Sequence, residues 1–167
     1  VQEMLRLCLN LDEHACSAYQ HLAQHASDPR LVGVWRQMAM DKQSHIECWR
    51  RLLEQIRRGA GPQFLQDLAS MKKELQSQNE KAEALVKRCS QALGVREAFA
   101  LAFRLEFYLL SPCAEQLFYF SSLLGSERQP ALDNYHHHIG RLAQGLRQFG
   151  TSGDELETLA EAIEQLW

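Results

Sequence analysis

Proline and glycine are scarce in this chain, with 4 and 9 among 167 residues. That excludes a turn-rich sandwich or barrel, whose turn signals recur roughly every 8–12 residues. Alternating β-branched runs are missing too, so strands have little to form from. The five cysteines are an odd number without a CxxC pair, which argues against a disulfide framework and for reduced thiols in the cytoplasm. There is no basic excess: 18 Lys and Arg stand against 21 Asp and Glu, a net charge of −3. A nucleic-acid or anionic-membrane partner is therefore not expected. The most apolar stretch, 98–124, is broken by Arg104, Glu106 and Glu115 and reads as a buried helix rather than a membrane span. No signal peptide, glycine-rich phosphate loop or nucleophile elbow is present. The chain opens at Val1, which fits a processed chain or a piece of a longer one.

What remains is long helical segments in a chain the size of one domain. The spacing of breakers predicts a first hairpin over about 1–58. It is made of helices at 2–26 and 30–58, with Asp28 as a cap and Pro29 opening the second. Residues 59–94, polar and helical in composition, read as a solvent-facing crossover. A second hairpin over 95–149 holds helices at 95–124 and 130–149. A short amphipathic helix over 154–167 carries Leu156, Leu159, Ile163 and Leu166. The expected fold is all-α: two long helical hairpins joined by a long crossover, in one four-helix bundle.

An internal repeat links the hairpins. Shifted by 93 residues without gaps, Glu13 falls on Glu106 and His45 on His138, while Leu31, Ile46 and Leu53 fall on Leu124, Ile139 and Leu146. Helical phase puts Glu106, His45 and His138 on otherwise apolar stripes. On the first helix the face holding Leu9, Glu13, Cys16 and Ala23 is less clean, because Gln20 shares it. A buried carboxylate is costly unless a metal, a cation or dense hydrogen bonding compensates it. Taken singly, each residue reads as a satisfied core histidine or a buried ion pair. Two carboxylates and two histidines at matching depth on four helices read as one constellation.

The stretch LNLDEHACSAYQHLAQHASDPRLVGVWRQMAMDKQSHIECWRRLLE resembles a rubrerythrin-type hairpin of the ferritin-like superfamily, including Tyr19 six residues after Glu13. The second hairpin, from LAFRLEFYLLSPCAEQLF to DNYHHHIGRL, resembles it more weakly. The resemblance implies a di-iron centre holding one Glu from the first helix of each hairpin and a Glu-x-x-His pair from the second. Carried onto this chain, the metal ligands fall on Glu13, His45, Glu106 and His138. The two bridging glutamates do not carry over: Lys42 and Tyr135 stand in their places.

Charge sets the consequence. Two glutamates and one lysine sum to −1, so two divalent ions would leave +3 in a low-dielectric core. One divalent ion would leave +1. An ammonium at Lys42 bridging Glu13 and Glu106 would stand in for a metal. If one metal binds, the half with Glu106, His138 and Tyr135 is favoured, because Lys42 repels cations from the other. Asp41, four residues before His45, is a substitute for the lost glutamate, and a shifted register pairs Asp133 with His137. Cys16 and Cys48 lie one turn beyond Glu13 and His45, and His14, His21 and His25 line a neighbouring stripe.

Two functions follow. One is a ferritin-like module with a degenerate, metal-free or single-metal centre. The other is an iron- or manganese-dependent oxidoreductase acting on peroxide or dioxygen, which would need a separate electron donor because no rubredoxin-type cysteines are present. The resemblance also implies a homodimer.

Overall fold

A computed structural model of the chain describes residues 1–59, 68–109 and 130–149. Five α-helices account for almost all of them: α1 Gln2–His25, α2 Pro29–Arg57, α3 Leu68–Cys89, α4 Val95–Leu109 and α5 Pro130–Phe149. No strand occurs among the described residues, and no described helix is long and apolar enough to cross a membrane. The first hairpin turns where its breakers stand. The Asp28 carboxylate accepts from the Arg30 backbone N–H at 2.8 Å, and Pro29 occupies the first helical position. Such a cap contributes about 1 kcal/mol. At the other end of α2, Gly59 adopts φ +99° and its N–H donates to the Ile56 carbonyl, a left-handed position that suits glycine. The expected continuation of the fourth helix through 110–124, the segment 60–67 and the helix over 154–167 lie outside the described residues.

The helices α1, α2, α5 and α4 contact one another in a closed ring, with α3 lying against α1 and α4. Each ring helix buries a stripe spaced alternately three and four residues. On α1 it is Leu5, Cys8, Asp12, Ala15, Tyr19 and Leu22; on α2, Trp35, Met38, Lys42, His45, Trp49 and Leu52. On α4 it is Phe99, Ala102, Glu106 and Leu109; on α5, His138 and Leu142, with Gly145 next in the series. On α1, α2 and α4 the middle of the stripe is polar while both ends are apolar. This pattern positions the site.

The segment read as a solvent-facing crossover is more engaged than expected. Its weak apolar series, Leu75, Ala82, Leu85 and Cys89, is buried, and Asn79 donates to the Leu7 carbonyl of α1 at 3.0 Å. Three or four apolar residues at helical spacing are enough to seat a helix whose other faces are charged.

Close approach of α5 to α4 depends on Gly145. A β-carbon there would lie 2.9 Å from two atoms of the Phe99 ring. That ring is buried and packed at 4.8 Å from the Trp35 ring, which itself stacks on Tyr19. Overpacking costs typically about 1–3 kcal/mol. Alanine gains only about 1 kcal/mol over glycine in helix propensity. Gly145→Ala is therefore expected to lower the urea midpoint, although the same change at an open helical position would raise it.

Candidate functional site

At mid-height of the ring, five polar residues are at most 1% exposed: Asp12 from α1, Lys42 and His45 from α2, Glu106 from α4 and His138 from α5. Three of the four residues singled out by the repeat, His45, Glu106 and His138, meet here. Glu13 does not. Its side chain is 43% exposed and pairs with Arg50 at 2.9 Å on the surface. A helix advances about 100° per residue, so only one of two adjacent carboxylates can face inward, and the buried stripe passes through Asp12. The spacing from Asp12 to Glu106 is 94 residues, whereas His45 to His138 is 93. A gapless shift cannot satisfy both, and it selected the wrong neighbour. The three-four series through Leu5, Cys8, Ala15, Tyr19 and Leu22 is the signal that identifies Asp12.

The Lys42 ammonium lies between the two buried carboxylates, 2.7 Å from Glu106 Oε2 and 3.5 Å from Asp12 Oδ1. Each carboxylate also faces one imidazole: His45 Nδ1 is 3.6 Å from Asp12 Oδ1, and His138 Nδ1 is 3.5 Å from Glu106 Oε1. The two rings stack with centroids 5.2 Å apart. Neutral donors complete the set. The Trp49 indole N–H donates to Asp12 Oδ2 at 2.7 Å, and the Tyr19 hydroxyl donates to Glu106 Oε1 at 2.5 Å. Asp12 and Glu106 come from helices α1 and α4, and one lysine of α2 ties them together.

Lys42 was expected to burden the half of the site on its own hairpin. Its shorter contact is instead to Glu106, so the half expected to favour a metal is the one it occupies most closely. Tyr135 lies on α5, but its side chain, like those of Asp133 and His137, is outside the described set. Asp41 does not replace a glutamate beside His45. It reaches across to α5, where its Oδ2 stands 3.3 Å from His138 Nε2 and pairs with Arg141, while Gln37 donates to its Oδ1. Cys16 is buried and donates to the Ala39 carbonyl, and burial pushes its thiol above the ordinary range. That disfavours the thiolate a metal would need. Cys48 is half-buried, and Cys113 lies outside the described residues. His14 and His21 are partly exposed and His25 is exposed. Among the described residues, no three His, Cys, Asp or Glu side chains are arranged to hold a metal ion.

Burial by itself would raise both carboxyls. The charge of Lys42 and the neighbouring imidazoles outweigh it, and both Asp12 and Glu106 are held below the usual carboxylate range. Burial, reinforced by Lys42, pushes His138 below its usual value. Tyr19 is pushed up by burial and by Glu106, so its phenol stays a donor. For all three acid-side groups the unfolded chain binds more protons than the folded one, so stability rises with pH. Stability is expected to be full above the ordinary histidine value of 6.5, to decline below it as unfolded His138 takes up a proton, and to fall further below the ordinary carboxyl values of 3.8 and 4.5. Urea midpoints measured from neutral to acid pH check this. A midpoint that rises on acidification would contradict it.

Compared with known protein families, with characterised proteins and with solved structures, the chain matches none. Functional reading therefore rests on the geometry of this centre.

Proposed function

We propose that this chain is a ferritin-like, rubrerythrin-related module whose carboxylate–histidine centre has exchanged its metal for the Lys42 ammonium. One observation carries the reading: the ammonium nitrogen sits between one carboxylate from each half, where a bridging metal would share them. The donor set does not suit two divalent ions. Asp12, Glu106 and Lys42 sum to −1 with neutral imidazoles, so two divalent ions would leave +3 in a core that excludes water. The closed ring of four helices with a helical crossover, and two carboxylate–imidazole pairs of nearly equal separation, support the kinship. On this reading the centre is a polar staple that fixes the helix pairing, and biological activity lies in the surface, in assembly or sensing, as a cytoplasmic homodimer.

The rival is an iron- or manganese-dependent oxidoreductase fed by a separate electron donor. It requires Lys42 to withdraw from both carboxylates. Purifying the whole chain without chelators, measuring iron and manganese, and titrating it anaerobically with Fe²⁺ separates the two. Well under one metal per chain and no saturable binding are expected. Stoichiometric iron or manganese would overturn the proposal in favour of the oxidoreductase.

A further inference from the structure

The buried centre contains every group needed to join two of its own side chains. Lys42 Nζ is a primary amine with no exposure to water, 3.5 Å from Asp12 Oδ1, and the Asp12 carboxyl carbon is one bond beyond that atom. Glu106 Oε2, at 2.7 Å, is placed to take a proton from the amine. The Trp49 indole N–H already donates to Asp12 Oδ2, where negative charge would collect if the carboxyl carbon were attacked. His45 Nδ1 stands 3.6 Å from Asp12 Oδ1, the oxygen that would depart. Nucleophile, base, oxyanion donor and leaving-group partner are thus four different side chains around one carboxyl group.

We propose that Lys42 and Asp12 form an intramolecular amide, an isopeptide bond between α2 and α1. Nζ passes one proton by way of Glu106 to Asp12 Oδ1, which leaves a neutral amine beside a neutral carboxyl, and the freed lone pair attacks the Asp12 carboxyl carbon. The C–N bond forms while charge gathers on Oδ2 against the Trp49 N–H. The bond to Oδ1 then breaks. The two protons that Nζ gives up, one by way of Glu106 and one by way of His45, leave on Oδ1 as water. No electrons are transferred, and one positive and one negative charge disappear together.

Two physical terms favour the bond. Held side by side, reacting groups have effective concentrations reaching about 10⁵–10⁸ M, which offsets the tendency of water to hydrolyse an amide. The product also replaces two buried charges, each costly to desolvate, with a neutral amide. Glu106 is the base rather than the acylated partner because it holds the shorter contact to the amine, and because Asp12 has a donor on one oxygen and an imidazole beside the other, whereas Tyr19 and His138 both face Oε1 of Glu106.

The inference rests on the reading that Lys42, not a metal, occupies the centre. Either form keeps metal out, the ammonium by its charge and the amide by consuming a carboxylate.

Intact mass spectrometry of the whole denatured chain tests it. The expected mass is one water below that of the sequence, with Lys42 resistant to trypsin and the segments 7–30 and 37–50 recovered as one branched peptide. Asp12→Asn supplies a mechanism-specific readout: the same amide forms with loss of ammonia, so the variant acquires the mass of the linked wild type. Lys42→Arg and Glu106→Gln are expected at full mass. An unreduced wild-type mass, or a branch joining Lys42 to Glu106, would overturn the proposal. A full mass in a chain that also refuses Fe²⁺ overturns only the amide, whereas stoichiometric metal overturns the reading beneath it.

Discussion

Lys42→Met is expected to cost about 3–5 kcal/mol of folding stability, the range for breaking a buried ion pair by deleting one partner. Against a typical domain stability of about 5–15 kcal/mol, that leaves a marginal protein. The size follows from what remains behind. Asp12 and Glu106 stay buried, the cation between them is gone, and methionine fills the volume without offering a donor. The loss therefore comes from uncompensated charge rather than from a cavity, and pH tells the two apart. In the unlinked wild-type centre both carboxyls are held below their ordinary range, and stability falls as acid protonates them. In the variant, burial is opposed only by the imidazoles and neutral donors, so both carboxyls rise relative to wild type, protonation relieves the strain, and the deficit against wild type should shrink as pH falls. A cavity would leave the deficit constant. Neutralising the carboxylates as well, in the triple variant with Asp12→Asn and Glu106→Gln, is expected to recover most of the lost urea midpoint. If Lys42→Met unfolds at the wild-type midpoint, Lys42 is not what holds the centre together.

The helices themselves were legible because their ends are marked by residues with few alternatives. Asp28 and Pro29 open α2, and Gly59 closes it at a positive φ. The inward stripes of α2, α4 and α5 could also be read, since bulky apolar residues surround Lys42, His45, Glu106 and His138 at strict three-four spacing. On α1 the middle of the stripe is made of small or short residues, Cys8, Asp12 and Ala15, and gives a weak periodic signal. A neighbouring face with Leu9 and Glu13 competes with it. Adjacent acidic residues at 12 and 13 then differ only by a rotation of about 100° about the helix axis, which local composition cannot decide. The role of Trp49 was hidden for a different reason. A tryptophan on a core stripe reads as packing, and its hydrogen bond to Asp12 depends on a contact 37 positions away in sequence. Tyr19 and Glu106 were each singled out by resemblance, but the hydrogen bond between them, across 87 positions, was not.

Lys42→Glu is expected to convert the centre into one that requires metal. The substitution removes the cation and restores a carboxylate three residues before His45, the Glu-x-x-His spacing that puts both side chains on one helix face. Charge at the centre moves from −1 to −3, which a core at most 1% exposed tolerates poorly. Without metal the variant should be less stable than Lys42→Met, because a third negative charge joins the two already stranded. One divalent ion brings the total to −1 and two bring it to +1, both closer to neutrality than the empty variant. Binding then stabilises the fold by mass action, about 4 kcal/mol when free metal is a thousandfold above its dissociation constant. Thermal melts of the variant with and without Fe²⁺ or Mn²⁺ should therefore separate widely, while melts of the wild type under the same conditions coincide. Chelator should return the variant to its lower transition. An equal response of wild type and variant to Fe²⁺ would mean that Lys42 does not stand where a metal would, because a resident ammonium and a divalent ion cannot share two carboxylates at these distances.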